Sequence, residues 1–156
     1  MTEKDLTIDG IRQIRGGAFS DHRGTVSFVN DCSLVDVKRF YTITQTQETP
    51  VRAWMGHFHE RKWFVPVSGK TTLVLRRLRQ TDSGPAMDPE YTVFLLDAST
   101  PEAIAVPAGY CSGFRSDTPD AKVLVFSDKT LDEAADDMVR FDKGDGFDWS
   151  TLKGVK

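Results

Sequence analysis

Two imidazoles, two guanidiniums and an ammonium are concentrated in one stretch of this chain, Arg52-Ala-Trp-Met-Gly56-His57-Phe-His59-Glu60-Arg61-Lys62-Trp63. Histidine titrates near neutrality, so it can take a proton from carbon or oxygen with little tuning, and it is also a frequent metal ligand. In extended backbone residues i and i+2 share a face, which predicts that His57 and His59 reach one ligand together. Lys62 and Arg52 supply positive charge of the kind that steadies an oxyanion or a phosphate. The third histidine, His22, stands in the turn Asp21-His22-Arg23-Gly24 and reads as a solvated loop residue. Arg23 beside it reads equally as half of a surface ion pair or as a phosphate ligand.

These groups need a scaffold, and the chain supplies one of about single-domain size. Its 156 residues, 39% apolar and 10% aromatic, suffice for one packed core. A net charge of −3 gives no case for a nucleic-acid partner. No apolar run is long enough to span a membrane and the start of the chain does not read as a signal peptide, so a cytoplasmic protein is expected. Cys32 and Cys111 share no motif and are expected as reduced thiols.

Short runs rich in β-branched and aromatic residues recur at 25–30, 37–44, 62–67, 71–77, 91–96, 103–106 and 122–127, a pattern that predicts an all-β fold. Leu73 and Leu75 are expected to face inward from a half-buried strand, and Ser68-Gly69-Lys70 to be a hairpin turn. Residues 80–89 read as a long surface loop. Residues 130–140 suit a short C-terminal helix with Thr130 at its start, on which Asp136 and Asp137 form a solvated face. Residues 141–149 are expected to fold back on the body, and Trp54, Trp63 and Phe64 to serve packing. Many short strands with a close histidine pair suggest a jelly roll, or double-stranded β-helix, whose mouth holds a site.

The motifs resemble those of the cupin superfamily: His57-x-His59 leading to Gly69, and Pro107-Ala-Gly109 within Val106-Pro-Ala-Gly-Tyr-Cys-Ser-Gly-Phe114. Metal-binding cupins carry a Glu and a second-motif His where this chain has Lys62 and Ser112. Two nitrogen ligands facing an ammonium make a poor divalent site, so no metal is expected. The same departures, with Asp21-His-Arg23-Gly24 and Arg52, resemble the nucleotide-sugar branch, namely dTDP-4-dehydrorhamnose 3,5-epimerases and dTDP-4-keto-6-deoxyhexose 3,4-ketoisomerases. The likeness runs from about Asp21 to Asp142, most of the chain.

That resemblance implies a metal-free, cofactor-free isomerase of one domain spanning 1–156, acting on a nucleotide-linked 4-keto-6-deoxysugar in carbohydrate biosynthesis. His57 or His59 would take the proton next to the ketone, with Lys62 as electrostatic partner. Arg23, Tyr41, Arg52, Tyr110 and Ser112 would contact substrate, and a homodimer is implied. The catalytic Tyr of the 3,5-epimerases falls on Val125, and their C-terminal Asp-bearing segment has no counterpart, although Asp142 could orient a histidine. Ketoisomerisation or epimerisation at one centre therefore demands less of this chain than double epimerisation. A non-catalytic cupin that binds a sugar or nucleotide is the alternative reading, and a metal-dependent cupin a third.

Overall fold

The computed structural model describes residues 6–152. In chain order it contains β1 (Leu6–Ile8), β2 (Ile11–Arg15), β3 (Gly17–Asp21), β4 (Gly24–Phe28), β5 (Arg39–Ile43), β6 (Val51–His57) and β7 (Lys62–Ser68). There follow β8 (Lys70–Thr81), β9 (Gly84–Met87), β10 (Thr92–Asp97), β11 (Glu102–Val106), β12 (Tyr110–Ser116) and β13 (Lys122–Ser127). Helix α1 (Leu131–Asp136), β14 (Met138–Arg140) and a 3₁₀ turn (Trp149–Leu152) complete the described chain. One six-stranded sheet runs β1-β2-β11-β7-β13-β5, a second runs β10-β8-β12-β6-β14 with β9 paired to β8, and β3 and β4 form a separate hairpin. The fold is the expected double-sheet, all-β architecture with one short helix.

Period-2 alternation explains how the two sheets share a core. On β13, Val123, Val125 and Ser127 are buried while the residues between them are less so, and Val123 and Val125 meet Leu73, Leu75, Phe64 and Phe114 between the sheets. Phe64 and Phe114 pack edge to face at 5.3 Å between centroids, a favoured aromatic geometry. Leu73 and Leu75 face this core as expected, but β8 is not half-buried. Val74, on its other face, is fully covered by Trp54 and the returning segment that carries Phe141, Phe147 and Trp149. The fold-back of 141–149 is thus present, and Arg76 anchors it by donating to the carbonyl of Asp145 at 2.6 Å.

Three local expectations change. Ser68-Gly69-Lys70 is not a hairpin turn, because β7 and β8 belong to different sheets; Gly69 turns a corner between them. Its φ of 63° is one that glycine adopts without strain, and a Cβ there would run into the side chains of Thr118 and Asp120. Residues 80–89 are not a loop: β8 continues to Thr81 and pairs with β9 in a hairpin, whose polar composition reflects its exposed position. The helix is shorter than 130–140. Thr130 caps it in a capping box with Glu133, it ends at Asp136, and the chain then enters β14. Among the described residues no helix is long and apolar enough to cross a membrane. Cys32 and Cys111 are free thiols, as expected.

Candidate active site

The ends of five strands meet at one end of the double sheet. His57 closes β6 and Lys62 opens β7, while Ser127 closes β13, paired with Lys62 on one side and with Arg39 of β5 on the other. Tyr110 opens β12 directly opposite His57. The four residues between β6 and β7 form a turn that places Glu60 underneath. Glu60 accepts a hydrogen bond from the Ser127 hydroxyl at 2.8 Å and a longer one from Arg39 at 3.4 Å, and Lys62 Nζ lies 3.9 Å away. Its other carboxylate oxygen stands 3.1 Å from His57 Nε2. That contact is at ion-pair distance but lacks hydrogen-bond alignment, so both atoms keep capacity for a further partner.

Burial and charge set the protonation states. His57 is only 4% exposed, and burial holds its imidazole below the ordinary value of 6.5. The Lys62 and Arg39 cations push the same way, while Glu60 and Asp137 oppose them. The ammonium of Lys62 is likewise held below its usual range by burial, with Glu60 acting against that. Two cations therefore share one buried carboxylate, which leaves an electropositive recess beside a neutral imidazole.

Ser112 and Lys62 line both this recess and a larger cavity of about 850 Å³ that opens between the outer strand of the first sheet, β5, and the β6–β14 edge of the second. Tyr41, Arg52, Arg140, Asp142 and Asp145 line its wall. Burial, and then the charge of Glu60, push the Tyr41 phenol up to about 12, and the Arg39 guanidinium lies over its ring at 4.9 Å. A space of this size holds a small ligand of several rings.

Of the residues singled out from the sequence, His57, Lys62, Tyr41, Arg52, Tyr110 and Ser112 line the recess or the cavity. The Tyr110 hydroxyl donates to the carbonyl of Asp9 at 3.0 Å and accepts from Arg77 at 3.3 Å. His59 does not join His57. The strand ends at His57 and His59 sits exposed in the following bend, so the alternation that would align the two side chains no longer applies. Arg23 lies at the tip of the β3–β4 hairpin, paired to Asp21 at 2.6 Å and outside the cavity lining, which matches the surface-pair reading. The carboxylates acting on His57 are Glu60 and Asp137, whereas Asp142 stands in the wall of the larger cavity. Asp137 is not a solvated helix face but receives the backbone N–H groups of Phe58 and His59.

Glu60, Arg39, Ser127 and Arg140 escaped the sequence reading. The one available signal was the spacing His57-x-x-Glu60 in a turn between two strands; the others come from elements remote in sequence. Among the described residues no group of three or more His, Cys, Asp or Glu side chains is arranged to hold a metal ion. The residues at the cupin metal-ligand positions do not fit one here, since His59 is exposed on the bend and Lys62 and Ser112 stand in place of the Glu and the second-motif His.

No protein-family model matches the sequence, and no curated protein matches it either. Solved structures do. The rmlC epimerase of Mycobacterium tuberculosis superposes with a TM-score of 0.75 at 19% identity, over 94% of this chain and 78% of that one. ChmJ, a 3'-monoepimerase from Streptomyces bikiniensis in complex with dTDP-quinovose, gives 0.73 at 17% identity over 97% and 77%. QdtA, a sugar 3,4-ketoisomerase from Thermoanaerobacterium thermosaccharolyticum in complex with TDP, gives 0.63 at 17% over 86% and 90%. The chain has the cupin fold of these sugar-nucleotide epimerases and ketoisomerases.

Proposed function

We propose that the protein is an isomerase of nucleotide-linked 4-keto-6-deoxysugars, in which His57 takes the proton from the carbon next to the ketone. The observation that carries this reading is a buried imidazole held below its ordinary pKa in a small recess that shares Lys62 and Ser112 with the large cavity, with a carboxylate and an ammonium in the same recess. Such a base needs a pKa at or below the working pH and a partner for the imidazolium it becomes; Glu60 supplies that partner. As the C–H bond breaks, negative charge moves to the ketone oxygen, and Lys62 is placed to stabilise it in surroundings poor in water. Return of the proton to the same carbon from the opposite face inverts that centre. Delivery to the former carbonyl carbon, with loss of the neighbouring hydroxyl proton, moves the ketone instead.

Tyr41 is the proton donor of this proposal, because its phenol stays protonated across the physiological range and lines the cavity. It pairs in register with Val125, which is fully buried in the core, so the position where 3,5-epimerases carry their tyrosine presents none. Ketoisomerisation or inversion at one centre is accordingly favoured over double epimerisation. Arg52 and Arg140 at the cavity wall offer guanidiniums to the diphosphate. The protein is proposed to act in the cytoplasm as a homodimer without a metal. Incubation with dTDP-4-keto-6-deoxyglucose, followed by NMR of the sugar, should yield a 3-keto isomer or a single epimer. An unchanged sugar that still binds would give the non-catalytic reading instead.

A further inference from the structure

The turn that carries the proposed base is gripped from outside by backbone contacts that its own sequence does not supply. The carbonyl of His57 accepts from Gly109 N–H at 2.9 Å. Immediately after it, the N–H groups of Phe58 and His59 donate to the two oxygens of Asp137 at 3.0 and 2.7 Å. A bidentate carboxylate on two successive amides fixes the path of a turn more tightly than either bond alone. Asp137 is itself held. It is the C-cap of α1, its own N–H donating to the carbonyl of Ala134, and the next residue, Met138, pairs across strands with His57. Reciprocal bonds at 3.0 Å between Trp54 and Phe141 prolong that pairing. The other end of α1 is fastened by the Thr130 and Glu133 capping box and by the Lys38 ion pair to Glu133 at 3.0 Å.

We propose that Asp137 is a positioning residue for His57: its carboxylate clamps the 58–59 amides so that the imidazole stands against Glu60, and its charge stabilises the imidazolium. This deepens the proposed function and rests on His57 being the base. The charged groups that act on the imidazole are Lys62 and Arg39 on one side and Glu60 and Asp137 on the other. Removing the Asp137 charge leaves the two cations opposed by Glu60 alone. Asp136, on the exposed side of the same helix, does not touch the turn and serves as the control.

In Asp137→Asn the His57 imidazole, followed by NMR titration, should titrate at lower pH than in the wild type. The kcat should fall by about tenfold, a part of the 10²–10⁴-fold that positioned acid–base groups contribute, with KM little changed. Asp136→Asn should alter neither. Unchanged His57 titration in Asp137→Asn, or equal shifts in both variants, would overturn the proposal. If Asp137→Asn does not fold, hydrogen exchange on the wild type decides: the amides of Phe58 and His59 should be protected although the His59 side chain is exposed, and free exchange at both would refute the clamp. The titration and exchange readings do not depend on turnover, so an inactive wild type would refute the isomerase reading and the kcat effect with it, while the clamp and the influence of Asp137 on His57 are still tested by those two readings.

Discussion

The Nε2 atom of His57 stands 3.1 Å from Oε2 of Glu60, and both side chains are almost wholly out of contact with solvent. The two residues are three apart in sequence, and a turn between strands of different sheets brings them together. Glu60 also accepts from Ser127 and Arg39, so it is the anionic centre of a mainly cationic recess. Whatever changes Glu60 changes both the fold and the base.

Replacement of Glu60 by Ala should therefore destabilise the protein by about 3–5 kcal/mol, the usual cost of stripping the partner from buried charges, here Arg39 and Lys62. Urea unfolding of wild type and variant measures this. A loss within about 0.5 kcal/mol, typical of a surface substitution, would mean that the buried cluster is not held by this carboxylate.

The pH dependence follows from the lowered pKa of His57. The neutral imidazole is the base, so kcat/KM should stay high below the ordinary value of 6.5 and fall only as the pH drops further and the imidazole takes up a proton. In Lys62→Met one opposing cation is gone, so the acid limb should move to higher pH; a limb at unchanged pH would show that Lys62 does not act on His57. The same group affects stability. Because the unfolded chain binds a proton more readily, stability present above about 6.5 should be lost as pH falls through the folded value.

Tyr41 shows the opposite sign. Its phenol is pushed up to about 12, so it should remain a proton donor to the alkaline end of the activity range, and the ultraviolet absorbance of its tyrosinate should appear only far above the ordinary value of 10.0. Stability from this group is complete below that ordinary value and is lost as the pH rises toward the folded one. A titration step near the ordinary value that disappears in Tyr41→Phe would contradict the burial argument.

Much of this arrangement was legible in the sequence, and the gaps have physical causes. Uniform β-branched runs such as Lys122–Ser127 announced their strands, whereas β6 and β12, which carry His57, Tyr110 and Ser112, did not. Both mix charged, glycine and aromatic residues, because they supply residues such as Arg52 and Ser112 to the cavity lining while Trp54 of β6 and Gly113 of β12 pack against the returning segment. Gly69 sits where a hairpin would put it, yet both flanking runs are buried in separate sheets, and sheet membership is a long-range property. His59 was misplaced because the alternation rule was carried one turn past the end of its strand. Glu60 was hidden by the cupin motif itself, which directs attention to the position of Lys62. Asp137 looked like one of several exposed acids on a helix, and only the docking of α1 against the 58–59 bend reveals its partners.

The close packing under β12 gives a fourth expectation. A Cβ on Gly113 would lie 2.8 Å from ring atoms of both Trp54 and Trp149, at the bulge where β12 shifts register against β6. Gly113→Ala should cost about 1–3 kcal/mol by overpacking and displace Trp149, which changes tryptophan fluorescence in the folded state. Wild-type stability and spectrum would show that the returning segment yields without strain.

The central claim is that His57 moves a proton at the carbon beside a sugar ketone. The most direct measurement is position-resolved NMR of dTDP-4-keto-6-deoxyglucose incubated in deuterated water with wild type and with His57→Gln. Wild type should place deuterium from solvent at C3 or C4 of the recovered sugar, or at C5 if that centre is the one inverted, and His57→Gln should bind the nucleotide sugar while placing none. Equal labelling by both proteins, or none by the wild type, would contradict it.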